Sequence, residues 1–458
     1  MSRPFLLALV IVVVAAVAGE GLLLSTDEDG SESALSPTQT LNTATPIPLP
    51  TPWMLPGQPP PIPTPDHRRN VPEVTLVDTQ NGGTIPLWEP GYRIHEVVFQ
   101  SDWLYYVRFP VATGVVDAEI MAFSLESHQS AYKLADGYNI AISVYGDIAY
   151  TVRHADGTDS GATLDRFWRP GPPPGGAGRF AWSPDGRWLT SSGGYLEYGV
   201  PIPQYILDYD FRTARVRQFA ETLPCNCDGG PGVNWAPDSA RFQLTRLVGA
   251  ADLVERASDI YEPWGLTRFQ TTNFHGWISP SKYIEQDNFE SGNYAIYDFL
   301  RGVRVAIERL AFHSPERSVI ATIPDVTQQA FNVRGADGTM ITSGLQGLPD
   351  GFSSDGRFVL AGSGSVECPG LNVYRVADGE RLYCRTFGRG SFSPDSTRLA
   401  VVVGQPPHPL PSHASELWIT DLKTGTERRL ASDLRGGLGC AYWSPDSRYV
   451  VVAFCPGV

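Results

Sequence analysis

The sequence lacks the short motifs that identify several large enzyme classes. It contains no Gly-x-Ser-x-Gly nucleophile elbow, no P-loop, no His-Glu-x-x-His pair and no EF-hand loop. Once the repeats described below are assigned, no segment long enough for a hydrolase domain remains. These absences count against α/β-hydrolases, P-loop nucleotidases and zinc proteases, and we expect neither a cofactor nor a metal site.

Basic residues are also scarce, and lysine is the rarest of them. The chain of 458 residues has only Lys133, Lys282 and Lys423, and its 35 basic residues face 49 acidic ones. The resulting formal charge is −14 and the isoelectric point is near 5.0. Nucleic-acid-binding domains carry a basic surface, so this balance excludes nucleic acid as an expected partner.

What the sequence has in abundance is one returning phrase, an aromatic residue followed by Ser-Pro-Asp and then Gly or Ser. Its flanks are rich in β-branched and aromatic residues, which indicates two strands joined by a tight turn. Two degraded copies, Ile278–Lys282 and His313–Arg317, lie between the second and third clear ones. The five clear copies begin at Trp182, Trp235, Phe352, Phe392 and Trp443.

The aspartates of the phrase recur once per repeat, in the same position of the same turn. Proline presets φ for the turn, and aspartate can accept hydrogen bonds from the backbone that follows it. One structural role therefore explains every copy, so we interpret them as turn residues and not as catalytic acids. They are Asp185, Asp238, Asp355, Asp395 and Asp446.

Each repeat continues into a second pair of strands, often joined by Asp-Gly or Thr-Gly, as at Asp378-Gly379. Four antiparallel strands are the blade of a β-propeller. The sequence therefore predicts an all-β chain forming a single propeller over residues 73–458. Nine first-pair signals are present, two of them weak and lacking the Pro-Asp turn. Because propellers typically have four to eight blades, we expect eight, with seven to nine possible.

The two ends of this region complement each other. Residues 73–88 read as two strands with no preceding pair, whereas the last repeat stops after its second strand. We therefore expect the N-terminal strands to complete the last blade. Such closure removes open sheet edges, which invite aggregation.

The phrase, in its five copies at blade spacing, resembles the repeat of TolB-type propellers. This resemblance covers residues 73–458 and implies an extracytoplasmic, scaffold-like propeller. The extra N-terminal α/β domain of TolB has no counterpart here. Similar repeats also occur in the propellers of prolyl-oligopeptidase-type enzymes, so the repeat does not imply a function.

The region before the propeller has two parts. Arg3 precedes an apolar run from Phe5 to Ala18, which is typical of a secretory signal peptide over residues 1–24. If Glu20 is tolerated at the interface, residues 4–24 are long enough for a membrane anchor, and both interpretations stay open. No cysteine follows the run, which argues against a lipoprotein. Residues 25–72 are rich in Pro, Thr and Ser and are expected to form an extended linker.

Six cysteines behind an export signal permit disulfides, although the sequence cannot choose among the pairings. We favour Cys368 with Cys384 and Cys440 with Cys455, since each pair is close in sequence within one blade. The remaining two, Cys225 and Cys227, are interpreted as a loop staple or free thiols, because no second pair at metal spacing accompanies them.

Two hypotheses about function remain. The first is an exported, non-enzymatic binding or scaffold propeller that engages a protein, peptide or glycan at a ring face. The alternative is an extracytoplasmic enzyme of the lactonase, lyase or glycosidase type, with its site in the central channel. Loops carry sites on rigid scaffolds, so the insertions at residues 169–176 and 223–232, expected to rim one mouth of the ring, are the favoured places for a site.

Overall fold

The computed structural model describes residues 74–454, apart from short gaps. The gaps are Trp88, Pro90, residues 113–116, Gln129 and residues 194–201, 210–214, 223–232, 249–254, 265–267, 272–273, 287–293, 326–328, 363–367, 405–413 and 436–438. The predicted leader and linker, Cys225, Cys227 and Cys455 therefore lie outside the described residues. Within them, no helix has the length and apolar character needed to cross a membrane.

The described residues form 35 strands in nine antiparallel sheets, which we number as blades along the chain. Blade 1 is β3–β6: Tyr92–Gln100, Trp103–Pro110, Glu119–Ser124 and Tyr132–Asp136. Blade 2 has three strands, β7–β9: Tyr138–Ile142, Ile148–Arg153 and Asp159–Leu164. Blade 3 is β10–β13: Gly178–Trp182, Trp188–Ser192, Ile202–Asp208 and Arg215–Thr222.

The next three blades have four strands each. Blade 4 is β14–β17: Val233–Trp235, Phe242–Val248, Glu255–Tyr261 and Arg268–Thr271. Blade 5 is β18–β21: Phe274–Ser279, Lys282–Gln286, Tyr294–Asp298 and Val303–Ile307. Blade 6 is β22–β25: Arg309–His313, Val319–Asp325, Ala330–Gly335 and Met340–Gln346.

The last three blades complete the ring. Blade 7 is β26–β29: Leu348–Phe352, Phe358–Gly362, Leu371–Arg375 and Arg381–Arg385. Blade 8 is β30–β33: Arg389–Phe392, Arg398–Gly404, Ala414–Asp421 and Glu427–Arg435. Blade 9 joins the two ends of the described chain, β34, β35, β1 and β2: Gly439–Trp443, Tyr449–Phe454, Thr75–Asp78 and Thr84–Pro86.

Nine apolar clusters hold these sheets face to face, one between each pair of neighbouring blades. The cluster between blades 9 and 1 packs Leu76 and Val451 against Leu104 and Met121, so the ring is closed. Because both faces of a blade are covered, its strands are apolar almost continuously. The single all-β propeller expected from the sequence is thereby confirmed.

The ring closes through strand pairing between the two ends of the described chain, as expected. β1 pairs antiparallel with β35, with Leu76 opposite Val451. Thr79 continues this join, since its backbone N–H donates to Arg448 O over 2.9 Å. The guanidinium of Arg428, on blade 8, donates to the carbonyls of Thr79 and Gln80, which fastens the closing strands to the neighbouring blade.

The prediction of eight blades is wrong, because the structure has nine. Both weak repeats form sheets of their own, and the second of them is the three-stranded blade 2, β7, β8 and β9. Its signal is weak for a physical reason. Its first turn lacks Pro-Asp, and a proline-rich segment takes the place of a fourth strand.

The repeated phrase forms the turn between the first two strands of a blade. In four copies the serine hydroxyl donates to the aspartate carboxylate two residues later, over 2.6–2.8 Å. In the remaining copy Ala236 replaces the serine, and Asp238 accepts from the backbone N–H of Ala240. The residue after each aspartate has φ between 57° and 69°. Such left-handed backbone explains the preference for Gly or a small polar residue there.

A tryptophan at the start of the phrase, or directly before it in the case of Trp277, connects neighbouring blades. At four seams a tryptophan Nε1–H donates to a carbonyl on the innermost strand of the preceding blade, over 2.9–3.2 Å. The four bonds are Trp182 to Ala141, Trp235 to Ala181, Trp277 to Asn234 and Trp443 to Ser391.

Serine at the end of the phrase makes a second connection between blades. Its hydroxyl accepts from the backbone N–H of the aspartate in the preceding blade, over 2.9–3.2 Å. The serines are Ser239, Ser396 and Ser447, and their donors are Asp185, Asp355 and Asp395 respectively.

The cysteines that the structure describes all take part in disulfides. Cys368 and Cys384 are bonded to each other in blade 7, with their Cα atoms 5.9 Å apart. Cys440 is also disulfide-bonded. Its predicted partner, Cys455, lies outside the described residues.

Replacing Trp443 with phenylalanine tests the connection between blades. The change removes the N–H that Ser391 O accepts, so we expect urea unfolding to show a loss of about 1 kcal/mol in the free energy of unfolding. Trp418→Phe is the matched control, because its indole donates to Glu416 within the same blade. An equal loss in both variants would contradict a special role for the bond between blades.

Candidate functional site

The seam between blades 2 and 3 differs from the other seams. Its apolar cluster is the smallest of the nine among the described residues, with only Ala149, Leu189, Leu207 and Tyr209 buried. The cause is the missing fourth strand of blade 2, which leaves the outer half of this seam without a sheet to fill it.

A proline-rich segment, residues 169–177, lies in the gap. Proline has no N–H and cannot extend the hydrogen-bond ladder of β9, so side-chain hydroxyls donate to the segment's carbonyls instead. The segment is thus packed against blades 2 and 3. The three hydroxyl bonds are Thr163 Oγ1 to Pro172 O at 2.6 Å, Ser191 Oγ to Pro174 O at 2.7 Å and Thr151 Oγ1 to Ala177 O at 2.5 Å.

Where this segment begins, the seam opens into a cavity of about 820 Å³, which we call the seam cavity. In an antiparallel blade, the turn after the first strand and the turn after the third strand lie at the same end. The cavity is built from such turns, so it opens on one face of the ring, the turn face. Its lining comprises Tyr145, Asp147, Asp165–Phe167, Arg169, Pro170, Asp185–Arg187 and Tyr209.

Exposed aromatic side chains surround the cavity. Tyr145 is 59% exposed, Phe167 is 64% exposed, and nearby Trp264 of blade 4 is 53% exposed. Large aromatic side chains are usually buried, so three in one area of the surface indicate a contact site. Trp264 is held in place, because Arg217 donates to the carbonyls of Trp264 and Pro263.

Arginines lie against these rings. The guanidinium carbons of Arg166 and Arg169 are 5.1 and 5.3 Å from the centre of the Phe167 ring. Arg187 lies 4.6 Å from the ring centre of Trp264 and 5.0 Å from that of Trp188. Cation–π contacts at exposed sites contribute about 0.5–1 kcal/mol each, so they favour these side-chain positions before any ligand arrives.

Two buried carboxylates form part of the lining. Asp147 accepts from Ser143 Oγ at 3.0 Å and from the backbone N–H of Arg166 at 2.9 Å. Asp165 accepts from the backbone N–H groups of Phe167 and Arg169, each at 2.9 Å, and pairs with the Arg169 guanidinium at 2.6 Å. These bonds fix the loop that carries Phe167.

The two carboxylates have opposite pKa shifts. Burial raises the pKa of Asp147, with a further increase from the charge of Asp165. Burial acts on Asp165 in the same direction, but hydrogen bonds from the Arg169 backbone and side chain and from the Phe167 backbone outweigh it and lower the pKa of Asp165. The site therefore contains one carboxylate that destabilises the fold when ionised and one that stabilises it.

Of the five repeated aspartates, only Asp185 lines the seam cavity. The other four lie in the equivalent turns of blades 4, 7, 8 and 9. Tyr145, Asp147 and Phe167 belong to no recognisable motif, so the sequence alone did not identify them. One signal could have located them, namely the turn Ser143–Asp147, which departs from the phrase in a repeat that a proline run follows.

No family model and no curated protein matches this chain. Among solved structures, a eukaryotic initiation factor is 10% identical with a TM-score of 0.54, covering 83% of this chain and 98% of its own. Dipeptidyl peptidase 4 of Porphyromonas gingivalis is 12% identical with a TM-score of 0.50, covering 73% of this chain and 59% of its own. At these identities the likeness shows the fold alone.

TolB proteins are also among the structural neighbours. TolB from Acinetobacter baumannii is 12% identical with a TM-score of 0.30, covering 76% of this chain and 81% of its own. A score of this size carries no argument, so the TolB-type assignment stays a suggestion. In the part of the chain that the structure describes, no group of three or more His, Cys, Asp or Glu is arranged to hold a metal ion.

The two carboxylates give a paired prediction for stability against pH. A raised pKa means that the folded state binds its proton more tightly than the unfolded state, so ionised Asp147 costs stability at neutral pH. We therefore expect Asp147→Asn to raise the free energy of unfolding at pH 7, and the gain to disappear as the pH falls through the pKa of the folded state.

Asp165→Asn serves as the opposite control. Its lowered pKa stabilises the fold above the unfolded pKa, and that contribution is lost as the pH falls through the folded pKa. We expect this variant to be less stable than the parent at pH 7 and to approach it in acid. Urea unfolding between pH 3 and 7 measures both. If the two variants respond to pH with the same sign, the account of the site's charges is wrong.

Proposed function

We propose that this chain is an exported binding propeller that engages a protein or peptide partner through the seam cavity on the turn face. The observation that supports this most directly is the set of exposed aromatic residues beside arginines around the cavity. Aromatic side chains and arginine are enriched at the energetic centres of protein interfaces. Because these side-chain positions are already favoured, less conformational entropy is lost on binding.

We place the protein outside the cytoplasm. The disulfide between Cys368 and Cys384 supports this, since disulfides persist in oxidising compartments. The apolar run in residues 4–24 supports export or a membrane tether, and the Pro-rich residues 25–72 would then act as a spacer. The alternative hypothesis, an enzyme with a site in the central channel, predicts turnover that does not depend on the seam cavity.

Selection of peptides from a random phage-displayed library on the full chain tests the proposal. The comparison variant is Tyr145→Ala with Phe167→Ala, which removes two exposed rings and no buried group. We expect selected peptides to bind this variant about tenfold or more weakly than the parent, a loss of about 1.4 kcal/mol or more. Thermal unfolding of both proteins checks that the fold is intact.

Phe387→Ala is the matched control, because Phe387 is 55% exposed in the connection between blades 7 and 8. It should leave peptide binding unchanged. Selection of peptides that bind parent and double variant equally would overturn the proposal, and so would failure to select any peptide. Turnover of a hydrolase or lyase substrate by the full chain, unaffected by the double variant, would favour the channel enzyme instead.

A further inference from the structure

The acidic groups in the seam cavity already have fixed hydrogen-bond donors. Asp147 and Asp165 are buried, and both oxygens of each carboxylate accept bonds from the turn Ser143–Asp147 or from the loop that carries Phe167. Asp185 accepts from Ser183 Oγ at 2.6 Å and from the backbone N–H of Arg187 at 3.1 Å. The carboxylates of Asp147 and Asp165 are therefore committed to the scaffold, whereas both bonds to Asp185 reach one oxygen, Oδ1.

The arginines of the cavity, in contrast, keep donors for a ligand. Arg166 is exposed, and it forms no ion pair with any residue that the structure describes. Arg187 donates from Nε and Nη2 to Asp208 over 3.3–3.4 Å. Since a guanidinium has five N–H groups, most of the donors of Arg187 remain available. Arg169 is paired with Asp165 and Arg187 with Asp208, so Arg166 is the cation of the cavity that lacks an ion-pair partner among the described residues.

Guanidinium groups bind carboxylates through two parallel hydrogen bonds, so such a site favours a carboxylate ligand. A peptide fits better than an acidic sugar. The guanidinium groups of Arg166 and Arg169 lie against the Phe167 ring, and Arg187 lies against Trp264, so these rings offer a sugar less open surface for stacking. An apolar side chain of a peptide can instead enter the cavity beside Tyr145 and Pro170.

We infer that the seam cavity selects an acidic peptide segment, whose carboxylate binds Arg166 and Arg187 while a neighbouring apolar side chain fills the cavity. This inference rests on the proposed function and names the chemistry of its partner. It predicts that the selected peptides share an Asp or Glu next to an apolar residue, and that their affinity falls as salt is added.

A double-mutant cycle tests the inference. A selected peptide is synthesised with its Glu and with Gln in its place, and both forms are titrated against the full chain and Arg166→Gln by fluorescence anisotropy. We expect Arg166→Gln to weaken the Glu peptide about tenfold and to leave the Gln peptide nearly unchanged. Arg187→Lys, which keeps the charge but loses the planar donor set, should also weaken the Glu peptide.

Arg301→Gln is the control for net charge, because its side chain is 79% exposed on a turn of blade 5. It should not affect either peptide. Two results would overturn this inference and leave the proposed function standing. In the first, peptide binding depends on Tyr145 and Phe167 but the peptides share no acidic residue. In the second, Arg166→Gln and Arg301→Gln change peptide affinity equally. Peptides that do not depend on Tyr145 and Phe167 would overturn both.

An acidic glycan is the competing ligand, and a polyuronate oligosaccharide is the probe for it. Binding of this probe to the parent that is lost in Tyr145→Ala with Phe167→Ala, together with displacement of the Glu peptide by the probe, would overturn the inference in favour of a sugar. We expect the unlabelled Glu peptide to displace the labelled Glu peptide, and we expect the oligosaccharide to have no effect.

Discussion

At four of the nine seams, a hydrogen bond from a tryptophan indole to a carbonyl of the preceding blade is the constraint that holds the innermost strands in register. Apolar contact between blades is not directional and by itself would allow neighbouring sheets to slide. Serine hydroxyls of the turn phrase add a second directional bond at three seams. The indole bond fixes the height of one innermost strand against the next, as between Trp443 and Ser391. Once the inner strands are fixed, the outer strands can vary without opening the ring.

The seam between blades 2 and 3 shows the use of this arrangement. Trp182 still donates to Ala141 there, over 3.1 Å, so the inner edge of the seam is held as at other seams. The outer half lacks a strand, and a segment of prolines with hydroxyl partners fills only part of the space. The remaining space is the seam cavity. In an open sheet, a missing strand would expose an unpaired edge. In this closed ring, the missing strand of blade 2 leaves the cavity that we propose as a ligand site.

Much of the fold could be predicted from the sequence, because the turn phrase is local chemistry repeated at blade spacing. The number of blades could not be predicted. Blade 2 has neither the Pro-Asp turn nor a fourth strand, so its sequence does not mark it as a separate sheet. The site was missed for a similar reason. Tyr145, Phe167 and Trp264 lie in three separate turns, and only the ring geometry brings them to one face. No motif marks them, whereas the conspicuous aspartates serve the turns.

The central claim is that pairing of β1 with β35 closes the ring. Amide hydrogen exchange of the intact chain, followed by mass spectrometry, tests this claim most directly. If β1 completes blade 9, the amides of Val77 and Thr79, which face β35 in the antiparallel register, must exchange as slowly as those of β35, because opening either strand breaks the same sheet. Exchange of residues 75–78 at the rate of an unpaired segment, while β34 and β35 stay protected, would contradict the account of a ring closed by its two ends.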